Sequence, residues 1–344
     1  MYIKEVAKLV STTPRAIRFY EEKGLISPQK DTYNDYRYFT EKDILRLSTI
    51  LALREIDVGV ADIKNLLEDS NMSMEQYLDI QRAAMVEKWM EMKDMIHTID
   101  QMVERAGDED YSIADIHELA QHLKNLRSIR TRWQDKWNFD SWAEDFDNHI
   151  KREGHAFNVH QDYNEALDQV VDTIKLQPGD TSLDIGIGTG NLGSKLLSAD
   201  TNVIGVDQSD KMLTVCNENH PAIETRKGHF LALPLLNDQV DVIVSSYALH
   251  HVPDEEKIIA LEEMDRVLKP HGQICIADLM FVNDQHRANF MDSLQAAGNN
   301  EAIDAIEDEY YADQSLLMEW LDANNYYVET HLFNDILSMI YARK

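Results

Sequence analysis

The stretch Thr181-Ser182-Leu183-Asp184-Ile185-Gly186-Ile187-Gly188-Thr189-Gly190 decides how the larger part of this chain is read. A short apolar run, broken by one acid, enters a turn in which glycine takes every second place. That is the pattern of a buried strand leading into a loop whose backbone must be approached closely. NLGSKLLS (191–198) then starts a helix, and TNVIGVD (201–207) is a second strand ending in Asp207. QVDVIVSSY (239–247), GQICIADLMF (272–281), YYVETHLF (326–333) and ILSMIYARK (336–344) read as later strands separated by helical segments. Strands alternating with helices predict a Rossmann-like, doubly wound sheet, whose ligands bind beyond the strand C-termini. Gly188, Gly190 and Gly193, followed by Asp207, also fit the G-x-G-x-x-G spacing of dinucleotide-binding loops, a weak signal by itself.

The chain has 344 residues, room for two or three domains. Its composition, 44 % hydrophobic and 28 % charged, excludes a wholly disordered chain. Two distant cysteines, Cys216 and Cys275, exclude a disulfide-stapled fold and fit a reducing, cytoplasmic location. No apolar run reaches the roughly 18 residues of a membrane span. The opening MYIKEVAKLVS has charges among its apolar positions and lacks a small-residue cleavage site, so it does not read as a signal peptide. The net charge of -29 argues against a nucleic-acid partner until it is located. Residues 1–70 carry 11 basic and 12 acidic side chains, so the acidity belongs almost wholly to the remainder. The front module is near neutral and its surface must be read locally.

In that module Ile3, Val6, Ala7 and Val10 share one helical face. Thr13 before Pro14 is an N-cap followed by a residue suited to the first helical turn, and Gly24 ends the second helix. Two short helices joined by a polar turn make a helix-turn-helix, with Arg15 and Arg18 near the start of the second. LISPQKDTYNDYRYFT (25–40) reads as a ribbon with Asn34-Asp35 at its tip, and Thr40 with Asp43 forms a capping box for the next helix. Ser73 with Gln76 repeats that signal ahead of a long helix. There Leu78, Met85, Met92 and Ile99 recur every seven residues, with Trp89, Ile96 and Val103 in a second row. These rows predict a coiled-coil homodimer. Residues 108–138 read as a helical linker; within the mixed stretch 108–165, Trp133, Trp137 and Trp142 are expected to dock helices onto the next domain rather than line a ligand pocket. Arg127, Arg130 and Arg132 read as a solvated face.

The order of these signals over residues 2–70, above all IRFYEEKGLI, DYRYFTEKDILRL and LREIDVGVADIKNLL, closely resembles the DNA-binding domain of the MerR family of transcription regulators. The resemblance implies a winged helix-turn-helix over residues 1–71 and a dimerisation helix over 72–107. It implies double-stranded promoter DNA and RNA polymerase as partners. Thr13, Arg15, Arg18 and Tyr20 would lie on or near the recognition helix, and Tyr36, Arg37 and Tyr38 on the wing.

The fuller string Asp184 to Gly190, with LPL at 233–235 and SSYALHHVPD after a strand, resembles class I S-adenosylmethionine-dependent methyltransferases over residues 139–344. The resemblance makes S-adenosylmethionine the expected cofactor, ahead of a nicotinamide dinucleotide. It implies a cofactor site of Asp184, Gly186, Gly188, Gly190, Asp207, Gln208, Met212, His229, Phe230 and Ser245. Asp184 would face the cofactor ammonium group or the loop amides, and Asp207 would accept from the ribose hydroxyls. His229 departs from the family pattern, which places an acid there to accept from the adenine amine. A neutral imidazole can accept such a bond, whereas an imidazolium cannot. FDSWAEDFD (139–147) resembles the lid over the cofactor, with Trp142 and Phe146 excluding water. For acceptor chemistry His250, His251 and Tyr247 are the candidates, with His155 and His160 behind them; His250 aligns with the class histidine and would take the acceptor proton.

No metal-ligand cluster is read from the spacing. Two functions fit the sequence. One is a DNA-binding regulator whose C-terminal domain methylates a small molecule that also serves as inducer. The other is a regulator that uses the same fold only to sense a ligand or S-adenosylmethionine. The strongly acidic second domain and the absence of an Asn/Asp-Pro-Pro-aromatic tetrapeptide disfavour nucleic acid as the methyl acceptor.

Overall fold

A computed structural model describes residues 1–30, 36–56, 58–68, 74–105, 113–132, 137–150, 158–197 and 200–344. The chain divides into two compact units, residues 1–81 and 82–344. The predicted ribbon tip Asn34-Asp35, the Ser73 cap, Trp133 and His155 lie outside the described residues, as do the side chains of Arg127, Arg130 and Arg132.

The first unit opens with α1 (Ile3–Leu9) and α2 (Pro14–Glu22). Thr13 caps α2 by accepting from the Ala16 amide at 3.1 Å, and Gly24 takes the left-handed turn after it (φ 76°). Two-residue strands β1 (Gln29–Lys30) and β2 (Arg37–Tyr38) pair antiparallel. Helix α3 (Glu41–Glu55) starts from the reciprocal Thr40/Asp43 box, and α4 (Val60–Glu68) follows. Val6, Ile17, Tyr20, Leu25, Phe39, Leu47, Ile50 and Ile63 form one buried core.

The 32-residue α5 (Met74–Arg105) carries the predicted heptad rows. Met92, Ile96, Ile99 and Val103 are more than half exposed, while Met90 and Thr98 on the other side are buried. Trp89 leaves the second row and lies against Arg266, whose guanidinium sits 5.3 Å from the ring centroid. Helix α6 (Ile113–Arg132) and the short α7 (Phe146–Ile150) precede α8 (Tyr163–Thr173). No helix among the described residues is long and apolar enough to cross a membrane.

The sheet then builds through β3 (Thr181–Ile185), α9 (Asn191–Leu197), β4 (Asn202–Asp207), α10 (Asp210–Asn219), β5 (Glu224–Lys227) and β6 (Val240–Ser246). After α11 (Asp254–Val267) come β7 (Leu268–Phe281), α12 (Asp284–Ala297), α13 (Asn300–Asp308), β8 (Ala312–Asp313) and α14 (Gln314–Ala323). The closing strands are β9 (Tyr327–Leu332) and β10 (Leu337–Arg343). The strand order is β5-β4-β3-β6-β7-β10-β9, with β8 paired to β7. Strands β5 to β7 run parallel and β10 is antiparallel to both neighbours. Strand β5 (ETRK) is polar and at the sheet edge, which hides it from hydrophobic patterning.

Both faces of the sheet are buried, so successive residues of one strand feed opposite cores. Val240, Ile243, Ile274 and Ile276 join one apolar cluster; Val242, Val244, Cys275 and Ala277 join the other. Both cysteines are buried free thiols. The chain leaves β3 in one direction, toward β4, and returns on its other side, as β6. That reversal opens a crevice at the strand ends.

Gly186 turns into it at φ 73°, where a Cβ would stand 2.3 Å from the Ala248 Cβ. Left-handed backbone alone costs an L-residue about 1–2 kcal/mol. Gly186→Ala should therefore destabilise the second unit by more than that amount, read as a lowered midpoint in urea with m unchanged.

Candidate active site

The crevice holds a cavity of about 330 Å³. Its floor comes from the strand ends: Ile185 at the end of β3 with Gly186 and Gly188 beyond it, Val206 and Asp207 at the end of β4 with Gln208 beyond them, and Tyr247 and Ala248 after β6. Met212, His229 and Phe230 close one side; His250, His251 and Glu309 close another. Trp137, Phe139, Trp142, Phe146 and His160 cover it. The structure thus brings together Gly186, Gly188, Asp207, Gln208, Met212, His229 and Phe230 from the expected cofactor set, and all three acceptor-side candidates. Trp137 lines the cavity, against the docking role expected of it, and Trp142 lines it too, where the lid resemblance had put it.

Asp184, Gly190 and Ser245 do not line it. The Ser245 hydroxyl is buried and donates to the Ile185 carbonyl at 2.8 Å. Gly190 packs so tightly on α10 that a Cβ would meet His220 at 2.7 Å. Asp184 points beneath the loop toward Gly193 and not into the cavity. Its carboxylate is fully buried, and neither oxygen makes a hydrogen bond of normal geometry. Burial pushes its pKa up to about 7, against a partial pull downward from the Gly193 amide; the charge of Asp207 adds to the rise.

Asp207 is the acid at the cavity edge. Its two oxygens accept from the amides of Gly188 and Ser209, both at 2.9 Å, which fixes the carboxylate beside the glycine loop. The space next to Gly188 is open, with Phe146 the nearest atom at 4.0 Å from a built Cβ. A glycine cradle with an oriented acid fits a bound nucleoside whose hydroxyls donate to that acid. His229 takes a different part from the one expected. Its Nδ1 accepts from the Leu231 amide at 3.3 Å, so the neutral ring carries its proton on Nε2 and presents a donor.

The lid is held to both cofactor loops. Asp147 accepts from Thr189 Oγ1 at 2.7 Å and Asn191 Nδ2 at 2.9 Å. Asp140 accepts from Ser209 Oγ at 2.6 Å, and that bond holds its pKa below the ordinary value.

On the acceptor side, β6 is followed by Tyr247, whose φ of 48° is left-handed, and then by a 3-10 turn (Leu249–His251). Strained backbone of this kind gathers at functional sites. Tyr247 stacks on His160 at 5.5 Å, and burial pushes its phenol pKa up, so it remains protonated. His250 Nδ1 lies 2.5 Å from Asp278 Oδ1, and its Nε2 lies 3.9 Å from Glu309 Oε2. Burial alone would lower the His250 pKa; Asp278 and Glu309 reverse that and raise it. Burial alone would raise the Asp278 pKa; His250 and the amides around it hold it low. Asp278 was not anticipated, although a single acid inside ICIADLMF is the signal that marks it. Glu309 and Lys257 gave no such signal. His250, His251 and Glu309, which the spacing did not bring together, place ligand atoms within 4.8 Å of one another. Glu309 is too distant in the chain for spacing to show this.

In the first unit Arg15 and Arg18 are exposed on α2, as are Tyr36 and Tyr38 beside β2. Tyr2 meets both tyrosines edge-on at 6.4 and 6.2 Å. Two residues of the expected DNA surface sit otherwise. Tyr20 is 7 % exposed and belongs to the core, because the α2 stripe that buries Ile17 also buries it. Arg37 is paired with Glu21 at 2.5 Å.

A Rossmann-like sheet with a closing antiparallel pair, a glycine loop and an oriented acid at the strand ends frame a site that fits a nucleoside. Comparison with known proteins supplies the class. The family model for a methyltransferase domain matches residues 183–272, and that for a MerR HTH family regulatory protein matches residues 1–70. An uncharacterized methyltransferase of Oceanobacillus iheyensis is 31 % identical over 207 residues, 60 % of this chain and 95 % of that one. The uncharacterized methyltransferase YrrT of Bacillus subtilis is 32 % identical over 210 residues, 60 % of this chain and 96 % of its own. Among solved structures, phosphoethanolamine N-methyltransferase 2 of Haemonchus contortus with S-adenosyl-L-methionine has a TM-score of 0.42 at 15 % identity, covering 53 % of this chain and 52 % of that one. An S-adenosylmethionine-dependent methyltransferase of Mesorhizobium loti has a TM-score of 0.41 at 17 % identity, covering 52 % and 96 %. The chain belongs to the methyltransferase family and carries a MerR HTH family domain at its front.

Asp184 gives a pH test of the buried carboxyl. With its pKa at about 7 in the fold and near 3.8 when unfolded, the folded chain holds a proton that the unfolded chain has lost between those values. Its contribution is therefore most favourable below about pH 4 and is lost as pH rises to 7. Asp184→Asn should match the parent's stability near pH 4 and exceed it by a few kcal/mol at pH 8, at about 1.4 kcal/mol per unit. Parallel denaturation curves at both pH values would contradict this.

Proposed function

We propose that the chain is a transcription regulator that binds promoter DNA as a homodimer and methylates a small molecule in its second domain. The observation that carries the enzymatic part is His250. Asp278 holds its Nδ1, which leaves Nε2 directed to the cavity wall that Glu309 shares. When bound, S-adenosylmethionine supplies a methyl group already activated by its sulfonium. Gly186, Gly188 and Asp207 would hold it. What remains for the protein is alignment and proton removal. His250 Nε2 would accept the proton of an acceptor hydroxyl, amine or thiol, with Asp278 stabilising the imidazolium that forms. His251 and Tyr247 would pack and orient the acceptor, while Trp142 and Phe146 exclude water. The strong acidity of the second domain supports a small molecule over nucleic acid as the acceptor.

The regulatory part rests on the first unit. Its two helices, paired strands and exposed Arg15, Arg18, Tyr36 and Tyr38 support a winged helix-turn-helix facing DNA. Arg37 would exchange or share its Glu21 contact with phosphate. The exposed row on α5 supports a dimer seam, since a two-fold protein reads two half-sites. By resemblance, RNA polymerase at the promoter and a small-molecule inducer complete the set of partners.

Two outcomes test this reading. In a cell extract given isotopically labelled S-adenosylmethionine, the protein should transfer label to a small molecule detected by mass spectrometry. His250→Ala should slow that transfer by about 10²–10⁴-fold without weakening cofactor binding. Transfer at an unchanged rate removes His250 from the chemistry. The paired change Met92→Lys with Ile96→Lys should leave the unfolding midpoint nearly unmoved, since both sites are exposed, but give monomers that bind operator weakly. A dimer that survives in ultracentrifugation rejects the α5 seam.

A further inference from the structure

We propose that His250, His251 and Glu309 form a binding site for one divalent transition-metal ion in the wall of the cofactor cavity. Their ligand atoms lie within 4.8 Å of one another, and His250 Nε2 is 3.9 Å from Glu309 Oε2. A zinc-like ion with bonds of about 2.0–2.2 Å brings tetrahedral ligands to about 3.4 Å apart. For the His250–Glu309 pair, a swing of the Glu309 side chain by about half an ångström closes that difference.

The surroundings are those of a built site. Asp278, itself buried, occupies His250 Nδ1 at 2.5 Å and so keeps the Nε2 lone pair for the cavity. Carboxylate behind histidine is the arrangement that orients and strengthens metal-bound imidazoles. The two segments bearing the ligands are also fastened together. The Tyr310 amide donates to the His250 carbonyl at 2.9 Å. The buried ammonium of Lys257 donates to the carbonyls of Val252 and Tyr310, both at 2.6 Å. Glu309, next to Tyr310, is thereby held opposite the histidine pair before any ion arrives.

Two imidazoles and one carboxylate select zinc, cobalt, nickel or iron over magnesium and calcium, which prefer all-oxygen sites. Three protein ligands leave a coordination position open toward the cavity. A hydroxyl or thiol ligand taking that position would lose its proton to solvent and be held as the anion. In metal-loaded protein the ion thus takes over the proton removal assigned to His250. Metal binding itself does not require that the domain turn over.

The test uses the full chain freed of metal by chelation. Titration with Co²⁺ should give a visible d–d absorption saturating at one equivalent, which Zn²⁺ displaces. Glu309→Gln and His251→Ala should each weaken Co²⁺ by at least about 10-fold, and the double variant should abolish the band while keeping the parent's circular dichroism. Absence of a band, or one that persists undiminished in the double variant, overturns the site. Label transfer is scored separately: a specific band without transfer sustains the metal site and sinks the enzymatic reading.

Discussion

The carboxylate of Asp278 is the interaction on which the acceptor side of the cavity depends. It sits in the interior of β7 with no exposure, where an isolated charge is prohibitively costly. Four donors offset that cost: the amides of Ala248, Leu249 and Leu279 and the ring of His250, all between 2.5 and 2.9 Å. Two of those amides belong to the turn that follows β6. The carboxylate therefore shapes that turn as well as orienting His250. The same turn presses Ala248 against Gly186, so the glycine loop and the histidine pair are set by one buried charge.

One nitrogen carries both chemical roles argued for this site. His250 Nε2 can accept a proton or donate its lone pair to a metal, but it cannot do both at once. Metal binding and protonation compete for any such ligand. In the metal-free site a proton gained on Nε2 creates an imidazolium balanced by Asp278 and Glu309. In the loaded site the ion supplies the positive charge to the same two carboxylates. The electrostatic frame is common to both states; the acceptor meets an imidazole in one and an ion in the other.

The sheet was legible because its strands are short apolar runs bounded by glycine and acid, and the helix starts because Thr13 and Thr40 are capping residues. β5 was not, since an edge strand of Glu224, Thr225, Arg226 and Lys227 has no apolar pattern. At the site, the residues contributed by consecutive loops could be read: Gly186, Gly188, Asp207 and His250 each follow a strand. Glu309 reaches the cavity from the end of α13, more than fifty residues beyond His250, and local pattern carries no information about such a contact. For Asp184 two partners were open, the cofactor ammonium group or the loop amides; alternation along β3 turns it beneath the loop, toward the Gly193 amide. Tyr20 was placed on the DNA surface, but the face of α2 that carries it is the one that packs.

The lid adds a constraint that individual contacts do not reveal. Asp147 is bonded to Thr189 and Asn191, just after the glycine loop, and Asp140 to Ser209, just after Asp207. Those loops are the two that would hold the nucleoside. Any displacement of either loop is transmitted to the lid through a hydroxyl–carboxylate bond. A hydrogen bond to a charged group contributes about 1.5–3 kcal/mol net, so these bonds hold the segment over the cavity without locking it. Phe146 stands next to Gly188 and Trp142 lines the cavity, and water excluded there would strengthen the fields of Asp207 and Asp278. Binding geometry and solvent exclusion would in this way be coupled, through two carboxylates whose hydroxyl partners lie on the loops at the cavity edge.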